Sequence, residues 1–225
     1  MEKDRLPHWD LGPIYPSADS NEFKADLARI YELKDVITEN LESFSIAKLL
    51  SLLSEAGALV SNTSSYASAI LSTNTSESAY MKAVNDAEAA ENAYQEAWQA
   101  FVRSASFRRD EFSSPELKDY SLLLSEIEVL SRHQMSAAEE NLALDFLSLS
   151  SSSWERLQQA VTSSASNGGM TLIELRALST HPSREVRRDA YIREKAILKE
   201  HETALAYSLN GVKGTTLLLE KRRGW

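Results

Sequence analysis

The chain has 225 residues, of which 43% are hydrophobic and 25% charged, enough apolar material for a packed core and too much for a disordered chain. Only 7 Gly and 5 Pro leave too little turn punctuation for a many-stranded sheet, and the absence of Cys excludes a disulfide framework, thiolate zinc sites and Cys nucleophiles. A net charge of −9 opposes a phosphate-binding surface, although the residues from His181 onward hold 10 basic against 6 acidic groups, a net of +4, which leaves −13 for residues 1–180.

Met1-Glu2-Lys3-Asp4-Arg5 leads into no apolar signal segment, and the most apolar stretch, Ile46 to Val60, is broken by Lys48 and Glu55. No membrane partner and no nucleic-acid partner are expected, and a reducing, cytoplasmic location fits the lack of Cys. The sequons at Asn62 and Asn74 are then chance matches.

Residues 8–20 contain two prolines and a glycine, so they read as a non-helical, extended arm anchored by Trp9, Leu11, Ile14 and Tyr15. Ser20 caps a helix whose apolar positions Phe23, Leu27, Ile30, Leu33, Ile37 and Leu41 step by 4, 3, 3, 4 and 4. Ser45 opens a second, with Ile46, Leu49, Leu53, Ala56 and Val60 on one face and Ile70 and Leu71 at its far end. Small residues over Ala56 to Ala69, Gly57 among them, let a neighbouring helix approach closely. A third helix follows the Asn74-Thr75-Ser76 cluster through Tyr80, Val84, Ala87, Tyr94, Trp98 and Phe101.

Ser114-Pro115-Glu116 is a start signal: a capping hydroxyl, a proline where no N–H is needed and a glutamate at the positive dipole end. Leu117, Tyr120, Leu123 or Leu124, Ile127 and Leu130 continue it. Ser136 and Glu139 form a capping box for a helix to about Leu149, and Ser153 or a neighbour caps another from Trp154 to about Val161. Asn167-Gly168-Gly169 signals a turn, and Thr171 with Glu174 makes a second capping box for a short helix that ends before His181-Pro182. From Ser183 a long helix runs through Val186, Ala190, Ile197, Leu205 and Leu209, with Asn210-Gly211 interrupting or ending it. The fold expected is all-α, an antiparallel bundle of about seven to eight helices with an extended N-terminal arm.

The chemistry-bearing residues do not assemble into an active site. His201-Glu202 begins like a metallopeptidase helix, but the second histidine place, four residues on, is Leu205. His8, His133 and His181 are far apart, and no serine stands in Gly-x-Ser-x-Gly. Glu139-Glu140 and Asp110-Glu111 read as surface pairs, Arg184, Arg187, Arg188 and Arg193 among Glu185, Asp189 and Glu194 as a salt-laced helix face, and Tyr94, Trp98 and Phe101 as core.

Trp9-Asp10-Leu11-Gly12-Pro13-Ile14-Tyr15-Pro16-Ser17, followed by Asp19-Ser20 and a helix with Phe23 and Leu27, resembles the amino-terminal signature of the oligoendopeptidase F family of zinc metallopeptidases. Ser183-Arg184-Glu185-Val186-Arg187-Arg188-Asp189-Ala190-Tyr191 resembles the family's junction of a short and a long helix. Leu209-Asn210-Gly211-Val212-Lys213-Gly214-Thr215 and Arg223-Gly224-Trp225 resemble its approach to the catalytic region, where Tyr is usual in place of Trp225.

The resemblance implies a helical peptidase that encloses short peptides in a channel. Its zinc would be held by an HExxH motif and a downstream glutamate that lie beyond this chain. No catalytic, cofactor-binding or metal-binding residue is therefore carried over. Residues 1–180 would be the N-terminal helical domain, 181–225 the first helices of a truncated catalytic domain, and the 225 residues alone would be inactive and bind no zinc. Leu217-Leu218-Leu219 close to the carboxyl end predicts that the isolated chain exposes an apolar patch, covered by a second copy or left sticky; the partners expected are short peptide substrates of the full-length enzyme and the missing catalytic domain. The alternative is a stand-alone helical protein-interaction module without catalysis.

Overall fold

The computed structural model describes residues 10–75 and 77–225, Ser148 by its backbone alone. Its residues divide into two compact units, Met1–Asn141 and Leu142–Trp225. Eight helices of twelve residues or more and one short helix account for most of the described chain, so the fold is an all-α bundle.

In the first unit the helices are α1 (Asn21–Glu39), α2 (Ile46–Thr73), α3 (Ser78–Ser106) and α4 (Ser121–Arg132), and α5 (Ala137–Leu149) begins there. The Ser20 and Ser45 hydroxyls accept from the amides of Phe23 and Lys48, as N-caps should. The core has two ends. At one, Leu33 and Ile37 from the end of α1 meet Ile46, Leu49 and Leu50 from the start of α2 and Ala97, Phe101 and Ala105 from the end of α3. At the other, Phe23 and Leu27 from the start of α1 meet Tyr66, Ala67 and Ile70 from the end of α2 and Ala83 and Ala87 from the start of α3. α2 therefore runs antiparallel to α1, and α3 antiparallel to α2.

The buried face of α3 is rotated from the one that its aromatic spacing suggests. Ala83, Ala87, Ala90, Ala97 and Ala105 are buried with Phe101, whereas Tyr80, Val84, Tyr94 and Trp98 are half-buried at the border. Alanines keep the helix axes close, and the larger side chains fill the margins. The small residues of α2 answer them: a Cβ at Gly57 would stand 3.4 Å from the Tyr94 hydroxyl.

Trp9 and His8 lie outside the described residues. Beyond them the arm is held by turns, with the Gly12 amide on Asp10 Oδ1 at 2.9 Å and the Ile14 amide on the Leu11 carbonyl at 3.0 Å. Tyr15 is its anchor, 3% exposed, while Ile14 points outward.

The start signal at Ser114-Pro115 opens a 3₁₀ stretch, Pro115–Tyr120, before α4, and the Ser114 hydroxyl makes no cap. Proline fits the first turn as expected, but the tighter winding places Leu117 in the core and leaves Tyr120 and Leu130 more than a third exposed.

The second unit contains α6 (Ser151–Ser164), α7 (Leu172–Ala177), α8 (Arg184–Glu200) and α9 (Glu202–Arg223). α6 starts before Ser153, which lies inside it, and neither Ser150 nor Ser183 caps through its side chain. Asn167-Gly168-Gly169 forms more than a turn: Ser166–Asn167 (β1) pairs antiparallel with Met170–Thr171 (β2). Gly168 and Gly169, at φ 58° and 78°, supply the two left-handed residues of a two-residue hairpin. Thr171 and Glu174 complete their capping box. Leu172 and Leu175 of α7 pack with Ala165, and with Ala190 and Ile197 of α8, so one core joins residues on both sides of position 180.

The break in the last helical segment falls at His201, not at Asn210-Gly211, which sit in mid-α9. Gly211 is there for packing: a Cβ on it would stand 2.3 Å from Trp154 Cδ1 and Nε1 of α6.

Candidate functional site

Arg108 builds the concave part of the first unit. Its guanidinium reaches back to the connection between α1 and α2, donating from Nη1 to the Leu41 carbonyl at 2.5 Å and from Nη2 to the Phe44 carbonyl at 2.7 Å. Nε donates to Glu111 Oε1 at 2.7 Å, and Glu111 Oε2 accepts from the Ile46 amide at 3.2 Å. One ion pair thus pins a helix connection onto the end of α3. Burial works to raise the Glu111 carboxyl, but the bonds from Arg108 and the Ile46 amide, with the Arg108 charge, outweigh it and hold the group below the usual carboxylate range. Asp110-Glu111 is therefore not a plain surface pair.

A second set of bonds fixes the chain entering α5. Gln134 Nε2 donates to the Gln99 carbonyl at 2.9 Å, and Arg103 Nη1 to the Met135 carbonyl at 3.1 Å. The Met135 amide donates to Glu140 Oε1 at 3.0 Å. The Ser136–Glu139 capping box forms reciprocally, the Glu139 amide on Ser136 Oγ and the Ser136 amide on Glu139 Oε2. Glu139 and Glu140 do point to different sides of the helix, but Glu140 is 1% exposed, because its carboxylate turns in to the Met135 amide.

Between these two sets lies a cleft of about 690 Å³. Leu41, Ala100, Phe107 and Ala137 give it apolar walls, and Glu42, Glu96, Arg103 and Glu140 give it charge. This size suits a small ligand or a side chain of a partner. Ser104, also in the lining, donates its hydroxyl to the Leu41 carbonyl at 3.1 Å, and among the described lining residues no histidine stands by to activate it. The cleft can bind but holds no nucleophile paired with a base. Sequence reading missed it because its polar residues come from three separate stretches, at Thr38 and Glu42, from Glu96 to Arg108, and at Glu140 and Asn141, which no local pattern joins.

The residues weighed for a metal are scattered. His201 stands at the joint of α8 and α9, Glu202 pairs with Lys199, and His181 accepts from the Ser183 amide at Nδ1. Among the described residues no three His, Cys, Asp or Glu side chains are grouped to hold a metal ion. The arginine cluster divides its work. Arg193 pairs with Asp189 and caps the carbonyls of Asn167 and Gly168, Arg187 caps those of His181 and Pro182, and Arg176 takes Glu194.

Comparison with known protein families, with curated proteins and with solved structures gave no match. Among the described residues no helix is long and apolar enough to cross a membrane.

Proposed function

We propose that the chain is the amino-terminal, channel-wall portion of a zinc-dependent oligoendopeptidase of the F type, a cytoplasmic enzyme that hydrolyses short peptides. What carries the reading is the order of the family-like segments: the arm at 9–17, the helix junction at 183–191 and the run from Leu209 to Thr215 before Arg223-Gly224-Trp225. Two of these do local work that explains such residues. Tyr15 is buried between Phe23 and Tyr66, and Gly211 admits Trp154.

On this reading the 225 residues shape access for peptides and perform no step of the hydrolysis. The metal that activates water in such enzymes would be held by residues of the missing catalytic portion. The native gene is the first test. Continuation beyond codon 225 into a helix with HExxH is expected, and a stop at that point would overturn the proposal. The second reading, a helical interaction module, draws on the exposed outer face of α9 and would be favoured by that stop.

A further inference from the structure

α8 turns to solvent a row of cations that the fold does not use. At about 100° per residue and counted from Arg184, Arg188 falls at about 40°, Tyr191 at about −20°, Ile192 at about 80°, Lys195 at about 20° and Lys199 at about 60°. No other residue of the helix lies within that arc, so the stripe holds four cations, two large apolar side chains and no acid. All of them are exposed, Tyr191 57% and Ile192 55%, while Ala190 and Ile197 on the other side of the helix are buried.

These cations do not steady the helix. Arg184 and Arg188, like Lys195 and Lys199, stand four residues apart, where like charges destabilise. Arg184 is also the first residue of α8, at the positive end of its dipole, where a cation is disfavoured. Lys199 pairs with Glu202, and the Lys195 ammonium lies over the Tyr191 ring, 5.6 Å from its centroid. Among the described residues Arg184 and Arg188 have no acidic partner, and Glu185, three residues before Arg188, makes no ion pair with it. Arg187 and Arg193, on other sides of the same helix, are spent on backbone carbonyls.

We infer that this stripe of α8 is a docking surface for an acidic peptide segment of a partner protein, whose carboxylates meet Arg184, Arg188 and Lys195 and whose apolar side chains meet Tyr191 and Ile192. Charge complementarity sets the sign of the occupant, and the stripe sets its size. From Arg184 to Lys199 the helix rises about 22 Å, the reach of about seven extended residues. An anion much longer than that, a nucleic acid or an anionic membrane, meets the net charge of −9 that the whole chain carries. Tyr191 and Ile192 among the cations suit peptide side chains better than a phosphate backbone, and Lys195 already covers one face of the ring on which a base would stack. The surface stands apart from the peptidase reading, since it requires no metal and no cleavage.

Fluorescence anisotropy of a labelled synthetic peptide, Glu residues around a central Leu-Leu, titrated with the 225-residue chain, tests it. The expected result is saturable binding that weakens as salt rises. Arg188→Glu with Lys195→Glu, both at exposed positions, should keep the helical circular dichroism and weaken binding by about tenfold or more. Lys213→Glu with Lys221→Glu, an equal change of net charge at exposed positions of α9, should weaken it less than about twofold. No binding of the peptide, equal losses in the two double variants, or tighter binding of a single-stranded oligonucleotide or of phosphatidylserine vesicles than of the peptide overturns the inference.

Discussion

Tyr15 shows how one side chain fastens a segment without regular structure. Its ring stands edge-on to Phe23 and Tyr66, with centroids 5.2 Å and 5.0 Å away, and its hydroxyl donates to Asp26 Oδ2 at 2.6 Å. Tyr15→Phe keeps the ring and should cost about 1–2 kcal/mol in chemical denaturation, whereas Tyr15→Ala should cost about 3–5 kcal/mol. Burial first, then the bond to Asp26 and its charge, raise the phenol above its ordinary value of 10.0. A raised folded value lends stability that is complete below about pH 10 and is lost as pH rises beyond it. Tyr15→Phe should therefore flatten the fall of stability in alkaline titration.

Glu111 acts in the opposite sense: its depressed carboxyl lends stability above the ordinary carboxylate range, lost as pH falls through the folded value. Glu111→Gln should make acid unfolding less steep, read by circular dichroism. Tyr15 was legible as an apolar anchor of the arm, its bond to Asp26 was not, and the role of Glu111 was not legible at all. The partners of Arg108 lie 64 and 67 positions away, and no local pattern reports such a contact.

At the scale of elements, caps and stripes were the readable part. Ser20, Ser45, Ser136 and Thr171 all cap as their spacing implies, because capping depends on residues within one turn. The failures share a cause, a distant neighbour overriding a local preference. Asn210-Gly211 looks like a helix end, yet Trp154 makes the glycine a packing requirement inside α9. Gly211→Ala should lower stability by about 1–3 kcal/mol despite its better helix propensity, because the new Cβ meets an indole. Gly214→Ala, with open space at the same point, should raise monomer stability by about 0.4–1 kcal/mol. Thermal melts of the two variants, measured dilute, check both signs. The alanine face of α3 was hidden for a related reason: its burial comes from close helix approach, while periodicity arguments weigh the larger side chains.

Over the whole molecule the fold class was legible and the candidate site was not. Few glycines and prolines, a 3.6-residue period and short connections suffice for a helical bundle. The cleft bounded by Leu41, Phe107, Arg103 and Glu140 arises from the meeting of helix ends, and each of its residues reads locally as surface or core. On the proposed reading, the resemblance to oligoendopeptidase F sequences would join these helices to peptide hydrolysis. Peptide cleavage by the product of the complete native gene, followed with a short quenched-fluorescence peptide, tests that link most directly. Hydrolysis abolished by a chelator and restored by zinc, with the isolated 225 residues inert, is the expected result; chelator-sensitive hydrolysis by those residues alone, or none by the complete product, would contradict it.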